Sequence, residues 1–281
     1  MVSESSSSGQ WLKGCAIGCG GLIVCGVLLI VGMSFSMRSA FDDAREDREV
    51  LVERFGEDEF FVPAVDGSVA ASRVEAFLAV REALAGAHAE IEAVDREMAG
   101  LDEIEDGEEP PLREALPMVF RLTKSMMGLP WIFGEIERTR NRALVENGMG
   151  LGEYSYIFVM AYHDQIVDPS EEAVLFSSSA AGARVRASLR GMVERQLLAA
   201  ESEDPPDEGL VTALTAELAA LDADPSRILW QDGLPKPIAT SFEGFRDRLD
   251  ATYSTAAAEF ELLNSTIKGG GLRIEDRKST R

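Results

Sequence analysis

The sequence contains one long block without a charged residue, and this block constrains the fold more than any other feature. It runs from residue 15 to residue 35 and reads CAIGCGGLIVCGVLLIVGMSF. As an α-helix these residues would be about 31 Å long, which is enough to cross the hydrocarbon core of a bilayer. Trp11 and Lys13 precede the block and Arg38 follows it, as is typical of interfacial flanks. The sequence therefore predicts a single transmembrane helix over residues 15–35.

A cleaved secretory signal peptide is the alternative interpretation of this block. Signal peptides have an apolar region of about 7–15 residues that ends in a small-x-small cleavage site. Here the apolar run is longer, and the best candidate site, Ser34-Phe35-Ser36, is a mediocre match. These differences favour an uncleaved signal anchor, which is preceded by a short polar tail at residues 1–14.

Small residues recur along one face of the predicted anchor. Steps of three, four or seven residues keep five of them on one seam of a helix: Gly14, Gly18, Gly21, Cys25 and Gly32. In lipid, such a seam lets two helix backbones approach closely. It favours self-association or pairing with another membrane protein, although glycine is also common in membrane helices that do not pair.

The flanking charges leave the orientation of the anchor open. Arg38, Arg45 and Arg48 follow the block, and positive flanks of this kind tend to stay in the cytosol. The same region contains four acidic residues, at positions 42, 43, 46 and 47, and the short polar tail before the block is typical of a signal anchor. We therefore favour an orientation with the C-terminal domain on the exported side, periplasmic or extracellular.

Charge and cysteine content exclude several classes of protein. The 281 residues include 49 acidic and 27 basic side chains, which gives a net charge of −22. Proteins that bind nucleic acid neutralise phosphates with Lys and Arg, so no nucleic-acid partner is predicted. The three cysteines all lie in the block, at positions 15, 19 and 25. Disulfides and cysteine zinc sites are therefore excluded for the rest of the chain.

The remainder of the chain has helical periodicity and predicts an all-α bundle of about five to seven helices. The clearest helix starts near Ser72, which forms a capping-box pattern with Glu75. Its apolar stripe has His88 at one position and otherwise comprises Phe77, Val80, Leu84, Ile91, Val94, Met98 and Leu101. Prolines separate further helices predicted over 171–202, 207–222 and 240–264, the last starting with a capping box at Thr240 and Glu243.

These patterns divide the chain after the anchor into three parts. Residues 36–59 are predicted to form a charged juxtamembrane stalk helix, and residues 60–265 an acidic helical domain. Residues 266–281 are polar and net basic, which predicts a disordered tail. A Met- and aromatic-rich stretch at 118–133 is interpreted as a kinked core helix, with a helix on the membrane surface as the alternative.

One predicted apolar helix also contains side chains with polar ends, and it is the best candidate region for a catalytic site. Glu153, Tyr156 and His163 have spacings that place them on a shared helical face, and these groups are capable of acid–base chemistry. The alternative is that buried Tyr and His side chains form hydrogen bonds within the core. Phosphate-binding, dinucleotide-binding and nucleophile-elbow motifs are absent, so no cofactor or metal is predicted.

Two functions remain, and the sequence favours the first. The first is a single-pass membrane protein whose acidic helical domain is a binding or scaffold module, with another copy of itself or a different membrane protein as partner. The second is a membrane-tethered enzyme that uses carboxylate, Tyr and His acid–base chemistry. The absence of catalytic motifs favours the binding protein over the enzyme.

Overall fold

The structure is a computed structural model. It describes residues 45–105, 131–167, 180–224, 226–258 and 261. The predicted polar tail, anchor, small-residue seam and basic tail lie outside these residues. Within the described ranges, no helix combines the length and the apolar character that crossing a bilayer requires.

The described part of the chain is all helical, as predicted, and contains no β-strand. Its helices are α1 (45–55), α2 (Ala71–Glu105), α3 (131–146), α4 (Leu151–Ala161), α5 (His163–Val167), α6 (Ala180–Glu201), α7 (Glu208–Ala223), α8 (Lys236–Phe242) and α9 (Arg246–Thr252). Two 3₁₀ turns lie at Asp58–Phe60 and Glu243–Phe245, and one further helical turn lies at 255–258. The described helices thus number about nine, more than the five to seven predicted, because the predicted final helix is divided into short pieces.

The core is built around α2 and α4. The predicted stripe of α2 is confirmed as far as Ile91, since Phe77, Leu84 and Ile91 are all buried. In α4 every residue except Glu153 is buried, and a helix that is enclosed on all sides is expected to be apolar all round. Aromatic rings join the two helices, with the ring centroids of Phe77 and Tyr154 5.2 Å apart.

Two helix starts differ from the predicted capping boxes. In α2 the first amide bonds go to the carbonyl oxygen of Ala70, so Ser72 lies inside the first turn and does not cap it. Glu75 instead accepts a 2.7 Å hydrogen bond from Arg248 Nη1. Near the C-terminus, α8 begins at Lys236 with a proline in its first turn, where proline is tolerated. Both capping-box predictions are therefore wrong.

Helix α7 agrees with its prediction of 207–222. The Asp207 carboxylate accepts hydrogen bonds from the amides of Gly209 and Leu210, at 2.9 and 3.0 Å. These bonds satisfy two amide groups that the start of a helix leaves open. The local proline–proline–aspartate pattern before the helix is thus sufficient to locate its start.

The helix at 45–55 belongs to the part of the chain predicted as a stalk, and it packs against the domain. Leu51 is buried in the same core as α2 and α4. Arg142 Nε on α3 donates a 2.9 Å hydrogen bond to Asp47. Over these residues, the stalk and the domain share one hydrophobic core.

Candidate functional site

A groove lined by aromatic side chains opens at the end of α1. It is lined by residues 55–57, 60–62 and 150–153 and encloses a cavity of about 270 Å³. One wall is the 3₁₀ turn with its flanking residues, and the other is the first turn of α4. We call this site the aromatic groove.

Glycine at the start of α4 allows the two walls to approach each other. A Cβ atom at position 152 would overlap the carbonyl oxygen of Asp58 and lie 2.7 Å from Phe61 Cβ. A Cβ atom at Gly150 would lie 3.1 Å from Phe55 Cβ, a tight but less severe contact. The floor of the groove is therefore glycine backbone, and the site depends on the missing side chain at 152.

Large apolar side chains remain exposed along the groove. Phe60 is 67% exposed and Val62 is 45% exposed, and Val50 on the outer face of α1 is 47% exposed. Single exposed apolar residues are ordinary, but a cluster of them marks a surface that contacts another molecule. Phe60 and Val62 form such an exposed apolar cluster at the groove.

The charged groups of the groove differ in how they are paired. Arg73 donates two 2.6 Å hydrogen bonds to Glu153, one to each carboxylate oxygen, and this pairing raises the pKa of Arg73. Arg54 lies with its guanidinium 5.6 Å from the centroid of the Phe55 ring. Within the described part of the chain, neither Arg54 nor Glu57 forms an ion pair. Glu57 therefore lines the groove without an ion pair among the described residues, whereas Arg54 lies outside the lining, against the Phe55 ring.

The structure places each of the three predicted catalytic residues with a different partner. Glu153 is paired with Arg73 on α2. The Tyr156 hydroxyl is buried and donates a 2.8 Å hydrogen bond to the carbonyl oxygen of Gly67, and burial raises the pKa of Tyr156. His163 is buried in the short helix α5, with Nδ1 3.7 Å from Asp164 Oδ1.

No described hydrogen bond or ion pair joins any two of these three residues. The helix that was expected to present them on one face ends at Ala161, and His163 starts a separate helix. Glu153 lines the aromatic groove, whereas the other two do not. The shared catalytic face remains a prediction without a contact that supports it.

Sequence reasoning missed a group of buried ionisable residues. We call this group the buried ionic cluster, and its members are Arg81, His88, Arg140, Tyr154 and Glu261. Arg81 forms an ion pair with Glu261, and both side chains are fully buried. The Tyr154 hydroxyl also donates to the Glu261 carboxylate. His88 Nε2 lies 2.6 Å from the other carboxylate oxygen, so three side chains surround one carboxylate.

The two buried arginines have further acceptors. Arg81 Nη2 donates a 2.7 Å hydrogen bond to the carbonyl oxygen of Thr252, at the end of α9. Its guanidinium also lies over the Phe158 ring, 5.1 Å from the centroid. Arg140 Nη1 donates a 3.1 Å hydrogen bond to the carbonyl oxygen of Glu261. The cluster therefore fastens the C-terminal segment to α2, α3 and α4.

A weak signal for this cluster exists in the sequence. Arg81 and His88 fall on the same helical face as Phe77 and Leu84, at steps of four, three and four residues. A charged residue inside an apolar stripe indicates a buried charge that needs a partner. The partner, Glu261, is 180 residues away, and nothing in the local pattern identifies it.

The cluster keeps its carboxylate ionised. Burial alone would raise the pKa of Glu261, but Arg81, His88 and Tyr154 outweigh burial and lower it from 4.5 to about 2. Burial and the neighbouring Glu261 carboxylate raise the pKa of Tyr154, so its hydroxyl stays protonated as a donor. Because these groups are fully enclosed, no substrate reaches them. We therefore assign the buried ionic cluster a structural role.

The low pKa of Glu261 predicts a specific loss of stability in acid. Because the folded-state pKa of about 2 lies below the ordinary value of 4.5, the stabilisation is complete above pH 4.5 and is lost as the pH falls towards 2. We expect the unfolding free energy of the wild type to fall more steeply across this window than that of Glu261→Gln. Urea unfolding at a series of pH values measures both slopes, and equal slopes would contradict the assignment.

Metal chemistry and known relatives give no further assignment. Across the described ranges, no group of three or more His, Cys, Asp or Glu side chains is arranged to hold a metal ion. The aromatic groove is the candidate functional site because of the exposed apolar side chains along it. No protein-family model, no curated protein and no solved structure matches this chain.

Proposed function

We propose that this protein is a single-pass membrane protein whose acidic helical domain acts as a binding or scaffold module on the exported side of the membrane, periplasmic or extracellular. The uncharged block at 15–35 supports the anchor. The observation that carries the binding function is the aromatic groove, where Phe60 remains two-thirds exposed on a folded domain. Aromatic side chains in such positions commonly supply most of the binding energy at interfaces.

The volume of the groove lies at the lower end of the range for small-molecule pockets and is compatible with a protein partner. Pockets for small molecules usually have volumes of about 300–1,000 Å³, and the cavity here is about 270 Å³. Glu153, the groove carboxylate that was predicted as a reactive group, accepts hydrogen bonds from Arg73 Nε and Nη2. A cavity of this size accommodates one or two side chains of a partner.

The negative charge of the domain supports an arrangement in which the domain projects away from the membrane surface. With a net charge of −22 over the chain, the domain is repelled by anionic lipid rather than attracted to its surface. The groove would then be free to meet another protein. The alternative of a helix on the membrane surface at 118–133 falls mostly outside the described residues, and this repulsion weighs against it.

Membrane attachment is tested by fractionation and by a topology reporter. We expect the full chain to stay in the membrane pellet after alkaline extraction, and Leu28→Arg to release a large fraction, since an arginine at the centre of a membrane helix costs about 2.5–3.5 kcal/mol. We also expect a signal from a C-terminal reporter that functions only after export. A chain recovered in the soluble fraction would contradict the anchor, and an active cytosolic reporter would contradict the orientation.

The binding function is tested by crosslinking in intact membranes. We expect wild-type chain in crosslinked complexes of higher mass, and about tenfold less of these complexes for Phe60→Asp, because a charge placed at an apolar contact loses affinity. Ala216→Asp on the exposed face of α7 is the matched control and should behave as wild type. Complexes that form equally well with Phe60→Asp would contradict binding through the groove.

A further inference from the structure

We propose that residues 246–258, together with Glu261, form a strap that opens as one unit while the rest of the domain stays folded, and that the Glu261 carboxylate is the latch that holds the strap closed. The strap contains α9 and the helical turn at 255–258. None of its residues lines the aromatic groove, so its opening does not depend on the proposed binding function.

The strap is attached to the domain through few apolar contacts. Between residues 246 and 258, Leu249 is the one buried side chain larger than serine. Tyr253 adds a partly buried ring, whose centroid lies 4.9 Å from that of Tyr162. In α4, by contrast, ten of the eleven residues are buried. Segments with few buried apolar contacts open at a lower free energy than the core, so the strap is expected to open before α4.

A hinge is available at the start of the strap. Phe242, at the end of α8, is fully buried and holds the preceding segment in the core. Gly244 follows in the 3₁₀ turn, where it is exposed and where an added Cβ atom would have no neighbour within 4 Å. Hinges are often small residues at the ends of elements. Rotation at Gly244 would therefore release the strap and leave α8 in place.

One buried contact holds the strap more strongly than its surface contacts do. Arg248 pairs with Glu75 of α2 in an exposed position, and exposed pairs of this kind contribute little. Glu261 is instead fully buried with Arg81, and the same guanidinium donates to the carbonyl oxygen of Thr252. Because removal of one partner from a buried pair is far more costly than from an exposed pair, the Glu261 carboxylate is the latch.

The closed latch leaves two buried donors without an acceptor. Arg81 Nε and Arg140 Nε are enclosed and have no hydrogen-bond partner among the described residues. A buried donor of this kind carries a desolvation cost. Opening of the strap exposes to water the guanidinium groups that Glu261 contacts. Opening therefore costs less than separation of the same charges within a dry core.

Native-state hydrogen exchange of the full chain in detergent micelles tests whether the strap opens separately. In the wild type we expect the hydrogen-bonded amides of residues 246–258 to be less protected than those of α4. We also expect their exchange to depend less on urea, because opening of the strap exposes less surface than global unfolding. Equal protection and equal urea dependence in the two segments would overturn the strap, since both would then exchange only by global unfolding.

Two matched carboxylate variants test the latch. In Glu261→Gln we expect the strap to exchange about a hundredfold faster, because a neutral side chain no longer compensates the charge of Arg81. Glu217 is also buried, and its described contacts, with Arg227 and the Trp230 amide, lie outside the strap. Glu217→Gln should therefore leave exchange of the strap unchanged, although it destabilises the whole domain. Equal acceleration of the strap by both variants would overturn the latch.

Tyr154→Phe provides the same test if Glu261→Gln does not fold. This variant removes one donor to the Glu261 carboxylate and retains the ion pair with Arg81. We expect the strap to exchange about tenfold faster, as for the loss of one hydrogen bond to a charged group. Exchange of the strap at the wild-type rate in this variant would contradict the latch.

Discussion

Replacement of Glu261 by alanine is expected to lower the free energy of unfolding by about 3–5 kcal/mol, the usual cost of removing one partner of a buried ion pair. The carboxylate is fully buried and is contacted by Arg81, His88 and Tyr154. Without it, the Arg81 guanidinium keeps its charge in the core with only neutral acceptors. Urea unfolding of the full chain in detergent micelles, followed by far-ultraviolet circular dichroism, measures the change in midpoint.

Two further variants make this result specific. Arg248→Ala removes a cation that pairs with Glu75 and Glu82 in an exposed position, and we expect it to leave the midpoint nearly unchanged. The double variant Arg81→Met with Glu261→Met removes both charges and should be more stable than Glu261→Ala alone. An unfolding midpoint for Glu261→Ala close to that of Arg248→Ala would contradict the role of the cluster.

Replacement of Gly152 by alanine is expected to destabilise the domain by about 1–3 kcal/mol, the range observed when extra atoms are forced into a packed core. The new Cβ atom would meet the carbonyl oxygen of Asp58 and Phe61 Cβ. Neither atom is the end of a flexible side chain, so the wall of the groove must move away from α4. The thermal midpoint measures the destabilisation, and the yield of crosslinked complexes in intact membranes measures the effect of the displaced wall on binding.

The matched control for this variant is Gly86→Ala. Gly86 lies inside α2, and a Cβ atom there would have no neighbour within 4 Å. Alanine at such a position should stabilise the protein by about 0.4–1 kcal/mol, because it lowers the entropy of the unfolded chain. Equal effects of the two substitutions would contradict the close approach at 152.

Local sequence patterns predicted those helices whose ends depend on local bonds. The start of α7 follows from the prolines before it, and the Asp207 carboxylate caps its first turn. The predicted helix over 240–264 is instead divided, with a break after Thr252. There Arg81 donates a hydrogen bond to the Thr252 carbonyl oxygen. This carbonyl would otherwise accept from the next helical turn, so a distant side chain decides where the helix ends.

The candidate site was harder to predict than the fold, for a related reason. The groove joins segments 55–62 and 150–153, which are far apart in the sequence. Its depth depends on Gly152, which reads locally as a flexible stop before a helix. Glu153 was predicted as a reactive group from its spacing, but its partner Arg73 lies 80 residues earlier. Periodicity identifies the buried face of a helix and gives no information about which distant charge will meet it.

The buried ionic cluster also has a consequence for the order in which the domain is completed during synthesis. Arg81, His88, Arg140 and Tyr154 are all translated well before Glu261, and the Arg81–Glu261 contact spans 180 residues. Contacts of such long sequence separation form late and slow folding. Until residue 261 is available, Arg81 lacks the carboxylate that compensates it and Arg140 lacks the carbonyl oxygen to which it donates, so the nascent domain remains open and accessible to chaperones.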